Sequence, residues 1–367
     1  MRLNIVKNLL LLSISIALVI IISLVVLEIY LRNTMDLHYT PGYTKTHPVR
    51  RYELRPNFTG KTFGVKYKVN SYGLRDFERP ITRGDEALRI AVFGDSITFG
   101  SGVKLKKTFP KALETLLNEK YNKQIQVFNF GIPSYNTYHE FVYLKDSYND
   151  FKPHLVLFEF TAGNDVSLAD PPGGLKGINQ LSVVRFLKDA LRHLYSYDWL
   201  AGRYYTLRYK LLYRAVNDEK NRKINNIGNN TETSDKKINA RLKHDELLYD
   251  ESYKGWQETQ KVFKSIADFC RRKNIPVIFA IYTNNINLST SLESDFMYPI
   301  VNKIKDSLRI NGIDHIVLLD DAFRGYAGRE KELWVRPDNS HFSSLAHKLA
   351  GEQLSQYIIE NNIIEED

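Results

Sequence analysis

The sequence predicts an α/β protein: a doubly wound, mostly parallel five-stranded sheet, carried on an N-terminal transmembrane helix and interrupted by a helical insertion. Three observations lead there. Short apolar runs at Leu88–Phe93, Ile125–Phe128, Leu155–Phe160, Pro276–Tyr282 and His315–Leu319 have strand length and alternate with stretches of helical period. Leu9–Val26 is apolar or hydroxyl-bearing without a charge, and Asn217–His244 is polar and poor in apolar residues. At 367 residues and 43% hydrophobic, the chain is long enough for one large α/β domain with additions.

Residues 9–31 reach the ~20 residues that span a hydrocarbon core, with Glu28 as the only acid near one end. Arg2 and Lys7 precede the span and no small-x-small cleavage site follows it, so residues 9–31 read as an uncleaved signal anchor with residues 1–8 in the cytoplasm. The remainder is then periplasmic or extracellular. Arg32, Arg50 and Arg51 weaken the charge asymmetry and leave the reversed orientation open. Residues 32–87 form a membrane-proximal segment, extended or lightly structured, in which Lys66-Tyr67-Lys68-Val69 alternates as a short strand does.

The main domain is placed at 88–362. Helices are expected from Thr108-Phe109-Pro110, with Leu113, Leu116 and Leu117 on one face, and from Thr137. An insertion at about 166–250 holds the loop Asp170–Gly174, helical stretches with Tyr204, Tyr205, Arg208, Tyr209 and Tyr213, and a polar surface loop. It leaves the sheet at a carboxyl edge, where it can act as a lid or carry only its own small core. Helices then follow at Trp256–Cys270, at Met297–Leu308 and through Ala346, Ala350, Leu354 and Ile358.

Composition excludes some classes. Lys plus Arg outnumber Asp plus Glu by 51 to 42, a net +9, but the basic residues are scattered and no nucleic-acid motif occurs. That balance suits an anionic lipid surface or an acidic envelope polymer. The single cysteine, Cys270, lies on a helical packing face and precludes an internal disulfide. His139, His154, His193, His244, His315 and His347 have no carboxylate or second histidine at a ligand spacing, and His38 and His47 are likewise alone, so no metal site is expected.

The chemistry gathers at Gly94-Asp95-Ser96-Ile97-Thr98-Phe99-Gly100, directly after the first strand. In an open α/β sheet the crevice beyond the carboxyl ends of the strands binds the ligand. A serine nucleophile needs a base, a group that orients the base, and oxyanion donors. Arg336-Pro337-Asp338-Asn339-Ser340-His341 offers an acid and a base three residues apart before a helix, so that Asp338 can orient His341 toward Ser96. Gly131 and Asn164, after the second and third strands, are the candidate oxyanion donors together with the Ser96 N–H. By the same edge logic Ser134, Tyr135, Asn284 and Asn285 are candidate substrate contacts. Singly, Gly94-Asp95-Ser96 is also a turn and Asp338-Asn339-Ser340 also a helix cap. The phosphate-loop reading fails, because no Lys-Ser or Lys-Thr pair follows the second glycine.

These residues resemble the SGNH hydrolases, also called the GDSL esterase/lipase family. The family's serine, glycine, asparagine and histidine blocks fall in order on Ser96, Gly131, Asn164 and His341, with Asp338 as the acid. Two departures are minor: Ile97 replaces a leucine, and in Ala162-Gly163-Asn164-Asp165 the glycine adjoins the asparagine. The resemblance implies a flavodoxin-like fold and acyl transfer through an acyl-enzyme on Ser96, with no metal or organic cofactor. It implies an esterase removing small acyl groups such as acetyl from an envelope glycan. The runner-up is an O-acyltransferase of envelope polysaccharide partnered by a membrane-bound acyl exporter, and a silent binding protein of the same fold is the third reading.

Overall fold

The computed structural model describes residues 2–35, 37–81, 87–121, 124–166, 182–201, 203, 204, 207, 246–283, 288, 295, 297–336 and 340–364. Five strands, β5 (Leu88–Gly94), β6 (Ile125–Gly131), β7 (Leu155–Thr161), β8 (Val277–Tyr282) and β9 (His315–Leu318), form one sheet in the order β6-β5-β7-β8-β9. All neighbours are parallel. Their apolar runs are continuous because helices cover both faces. On one face Ile90, Val92, Val127, Leu157 and Ala280 pack against α3 (Phe109–Lys120) and α8 (Ser344–Glu360). On the other face lie α4 (Thr137–Phe151), α6 (Lys254–Lys273) and α7 (Tyr298–Ile310). There Phe130, Phe93, Phe158 and Phe279, directly opposed in register, stack across four strands at centroid spacings of 4.7, 5.4 and 5.2 Å. The order in which strands are added reverses between β5 and β7, the switch point where such sheets bind ligands.

The segment between α1 and β5 is built into the domain. It forms two antiparallel hairpins, β1 (Thr44–His47) with β2 (Arg51–Leu54) and β3 (Thr59–Thr62) with β4 (Val65–Lys68). Beyond them Arg75, fully buried, donates through Nη1 to the Phe99 carbonyl at 2.7 Å and also bonds the carbonyls of Gly100 and Val103. Asp76 accepts from Asn129 N at 2.9 Å and pairs with Lys111 Nζ at 2.7 Å. The sequence boundary at 87 therefore divides what packing unites: the segment that follows β5 is held from Arg75, and β6 and α3 are held from Asp76.

The described part of the insertion departs from a lid. Its helix α5 (Ser182–Leu191) lies against β1, where Asp189 Oδ1 accepts from Thr46 N at 2.8 Å and Arg192 donates to Thr44 Oγ1 at 2.8 Å. It continues to the long N-terminal helix α1 (Arg2–Thr34). Tyr205, Arg208, Tyr209 and Tyr213 lie outside the described residues. Helix α1 includes one stretch, Ile5–Thr34, long and apolar enough to cross a membrane, with a mean hydropathy of 3.2 in its most apolar part, none of which is buried.

Two histidines expected to be structural or superficial are deep in the core. Burial pushes His139 in α4 and His347 in α8 down to about 3. His347 Nδ1 accepts from Phe109 N at 3.1 Å, joining α8 to α3. A depressed histidine pKa means that the unfolded chain binds the extra proton between about pH 6.5 and 3. Stability from each is thus full above 6.5 and falls by about 1.4 kcal/mol per pH unit below it. Buried carboxyls with raised pKa act in the opposite sense, so a difference between variants isolates the histidine. His347→Gln is expected to flatten the decline in unfolding free energy between pH 6 and 4 by about 1.4 kcal/mol per unit, read from urea midpoints; parallel curves would refute it.

Candidate active site

Ser96 opens the short helix α2 (Ser96–Phe99), immediately after β5. Asp95 caps it, its Oδ1 accepting from Ile97 N at 2.8 Å, and Gly100 closes it in the left-handed region at φ 83°. Across the cleft, His341 directly precedes Phe342, which bridges to Trp334, and Ser343, the N-cap of α8. Its Nε2 lies 2.8 Å from Ser96 Oγ, and its Nδ1 lies 3.4 Å from Ser340 Oγ. The two residues, 245 positions apart, meet because α8 packs beside α3 on one face of the sheet. Asp338, Asn284 and Asn285 lie outside the described residues.

The pair faces a cavity of about 170 Å³ bordered by Asp95, Ile97, Ser134, Thr161, Asn164, Tyr282 and Ser340. Asn164 Nδ2 donates to Asp95 Oδ2 at 2.7 Å and to the Tyr135 carbonyl at 3.0 Å. In this arrangement its amide ties the serine loop to the loop after β6.

Two sequence expectations are corrected. Gly131 does not border the cavity: it ends β6, and its N–H donates to its own strand's Asn129 Oδ1 at 2.9 Å. It is glycine because a Cβ there would meet Phe99 N at 2.2 Å. Tyr135 likewise points away, its ring buried and its hydroxyl bonded to the Tyr52 carbonyl. The loop residue that does reach the cavity is Ser134, in the left-handed region at φ 62°. Its N–H and that of Ser96 have no acceptor among the described residues.

Beneath the serine lies a group of buried carboxyls that the sequence reading passed over. Glu159, in the middle of β7, accepts from Thr161 Oγ1 at 2.7 Å and from Thr98 Oγ1 at 3.3 Å. Asp165 accepts from Thr161 N at 2.7 Å and Thr137 Oγ1 at 3.1 Å. Burial, then the negative charge of Asp95, pushes Glu159 and Asp165 well above the usual carboxylate range. Burial raises Asp95 also, opposed by the Ile97 N–H and by His341. Burial thus disfavours the charged forms of Glu159 and Asp165 beside the Asp95 carboxylate. A glutamate inside Leu155-Val156-Leu157-Phe158-Glu159-Phe160 and an asparagine inside β6 were the available signals. Asn129, fully buried, also donates to the Thr98 carbonyl at 2.8 Å and braces α2 against β6. From the membrane-proximal segment Phe63 packs its ring 5.1 Å from that of His341.

Among the described residues no group of three His, Cys, Asp or Glu side chains is arranged to hold a metal. The family model for GDSL-like lipase/acylhydrolase matches residues 90–354, from β5 to the last helix. The chain belongs to that family. GDSL enzymes are serine hydrolases acting on esters, and this chain is one of them. It is similar to several solved structures at low identity. A psychrotrophic esterase, EstA from Pseudoalteromonas, is 11% identical with a TM-score of 0.40, covering 75% of this chain and 98% of that one. A lipase/acylhydrolase from Enterococcus faecalis is 15% identical with a TM-score of 0.39, covering 75% and 96%. An acetyl xylan esterase, AlAXEase, is 11% identical with a TM-score of 0.40, covering 74% and 100%. No curated protein matches the chain.

Proposed function

We propose that this GDSL enzyme removes small acyl groups, acetyl foremost, from a cell-envelope glycan through an acyl-enzyme on Ser96. The observation that carries it is the 2.8 Å contact between His341 Nε2 and Ser96 Oγ at the mouth of a cavity of about 170 Å³. That volume suits a short acyl chain better than a fatty one. His341 takes the Ser96 proton as Oγ attacks the ester carbonyl, and Asp338 orients the imidazole. The alcohol leaves with the proton that His341 returns; water, deprotonated by His341, then releases the acid and restores Ser96. Helix α1 anchors the enzyme, with residues 1–8 cytoplasmic and the domain outside the membrane.

The oxyanion is held by the N–H groups of Ser96 and Ser134, with Asn164 as a third donor once its amide releases one of its present acceptors. Ser134→Gly keeps the N–H and relieves the positive φ, so kcat is expected to survive and stability to hold or rise. Gly131→Ala drives a Cβ into the Phe99 backbone and is expected to lower stability by about 1–3 kcal/mol in a urea titration. A Gly131→Ala protein of native stability with greatly reduced kcat would return the oxyanion role to Gly131.

The substrate reading is tested with the purified full chain on p-nitrophenyl esters and an acetylated oligosaccharide. Acetate release, with acetyl favoured over octanoyl by roughly tenfold or more, supports it. Acetyl transfer to an added oligosaccharide in place of free acetate would install the acyltransferase, with an acyl exporter as partner. No turnover of any ester by a folded chain would leave the binding protein.

A further inference from the structure

We propose that helix α5 and the short helix at 195–201 form an interfacial face that dips into the lipid headgroup and acyl boundary beside α1. This rests on the reading that α1 crosses a membrane. The first charge after the uncharged run of α1 is Glu28, which marks the level where the helix leaves hydrocarbon. At that level Glu28 accepts from Tyr195 N at 3.0 Å, Ser196 N at 2.9 Å and Ser196 Oγ at 2.8 Å. Four residues on, Arg32 donates to the His193 carbonyl at 3.0 Å and lies over the Tyr195 ring. The anchor therefore grips the start of the 195–201 helix at the interface itself.

The gripped element is amphipathic with its apolar side outward. On α5, Val183, Phe186, Leu187 and Leu191 follow helical spacing, and Phe186 and Val183 are 73% and 66% exposed. Asp189 and Arg192, on the opposite side, hold the helix to β1. The exposed stripe continues with Leu200 and Tyr204. Side chains that would cost free energy in water are thus fixed on a polar footing beside the exit point of a spanning helix. Lipid is the occupant because the element that follows α5 is bonded to α1 at Glu28 and Arg32, directly after the apolar residues of α1 from Leu9 to Val26, which are exposed in the same way. Arg203, its guanidinium 5.4 Å from the centroid of the Trp199 ring, adds a cation and an interfacial aromatic. The docked face holds the domain at a fixed height and tilt instead of letting it swing on a single helix.

The test uses the full chain with Cys270→Ala, reconstituted in phosphatidylcholine/phosphatidylglycerol vesicles and carrying one environment-sensitive fluorophore through Phe186→Cys or, as an aqueous control, Ile310→Cys. Alkaline carbonate extraction reports separately on α1. The expected result is carbonate-resistant protein whose position-186 probe is blue-shifted and loses roughly half its emission to a shallow spin-labelled lipid, while the position-310 probe responds to neither. Carbonate-resistant protein with a water-like probe at 186 overturns the docking face and spares the anchor. A probe shielded from aqueous iodide but untouched by the lipid quencher overturns it in favour of a protein partner or a second copy. Release by carbonate removes the anchor reading and the docking face with it.

Discussion

Ser96→Ala is expected to lower kcat/KM on p-nitrophenyl acetate by about 10⁴- to 10⁶-fold while leaving the urea midpoint unchanged. The size follows from the unit in which the serine acts. Its hydroxyl is the group 2.8 Å from His341 Nε2, and in the proposed mechanism its loss leaves the imidazole no proton to take and the acyl group no oxygen to occupy. Residual catalysis would come from the N–H donors and binding alone. Because the two residues work as a pair, His341→Ala should cost a similar factor, and the double substitution little more than either. A Ser96→Ala enzyme within tenfold of the parent would remove the serine from the mechanism.

Arg75→Met is expected to destabilise the protein by about 3 kcal/mol and to reduce turnover in the fraction that stays folded. Two opposing terms decide the sign. Burial pushes the guanidinium down to about 10, from an ordinary value of 12.5, so removing it relieves about 3 kcal/mol of desolvation. Against this, the carbonyls of Phe99 and Val103 lose their donor inside the protein, at about 1–3 kcal/mol each when left unpaired, and that of Gly100 keeps only the Val103 N–H at 3.2 Å. The second term is the larger, and its effect is concentrated on the segment that follows Ser96. Chemical denaturation of the two proteins side by side checks the first claim, and kcat at matched folded concentration the second. An unchanged midpoint would show that the serine loop holds its shape without the membrane-proximal segment.

The elements that were legible in the chain are those whose pattern is local. Five apolar runs between helical stretches specify a parallel sheet covered on both faces, and each strand appears within a residue or two of its expected ends, apart from β6, which runs on to Gly131. Ser96 was readable because a strand end followed by Gly94-Asp95-Ser96 is itself a local signature. The membrane-proximal segment was harder: its hairpins are short, and their residues are chosen for contacts with a domain that begins later. Arg75 looks like one more scattered cation until its three carbonyls are seen.

The same distinction explains the corrections. Gly131 was read as an oxyanion donor because glycine suggests an exposed N–H, yet its lack of a side chain serves the approach of α2, at 2.2 Å from a would-be Cβ. Ser134 was placed among mere contacts because a serine does not announce a left-handed backbone. Periodicity, charge and spacing along the chain determined the fold class, the apolar helix and the serine with its histidine. Which N–H groups border the cavity, which arginine supports the loop and where the insertion lies were decided by tertiary packing. Those depend on which backbone atoms come close across hundreds of residues, and that closeness is a property of the packed sheet and helices, to which no short stretch of sequence corresponds.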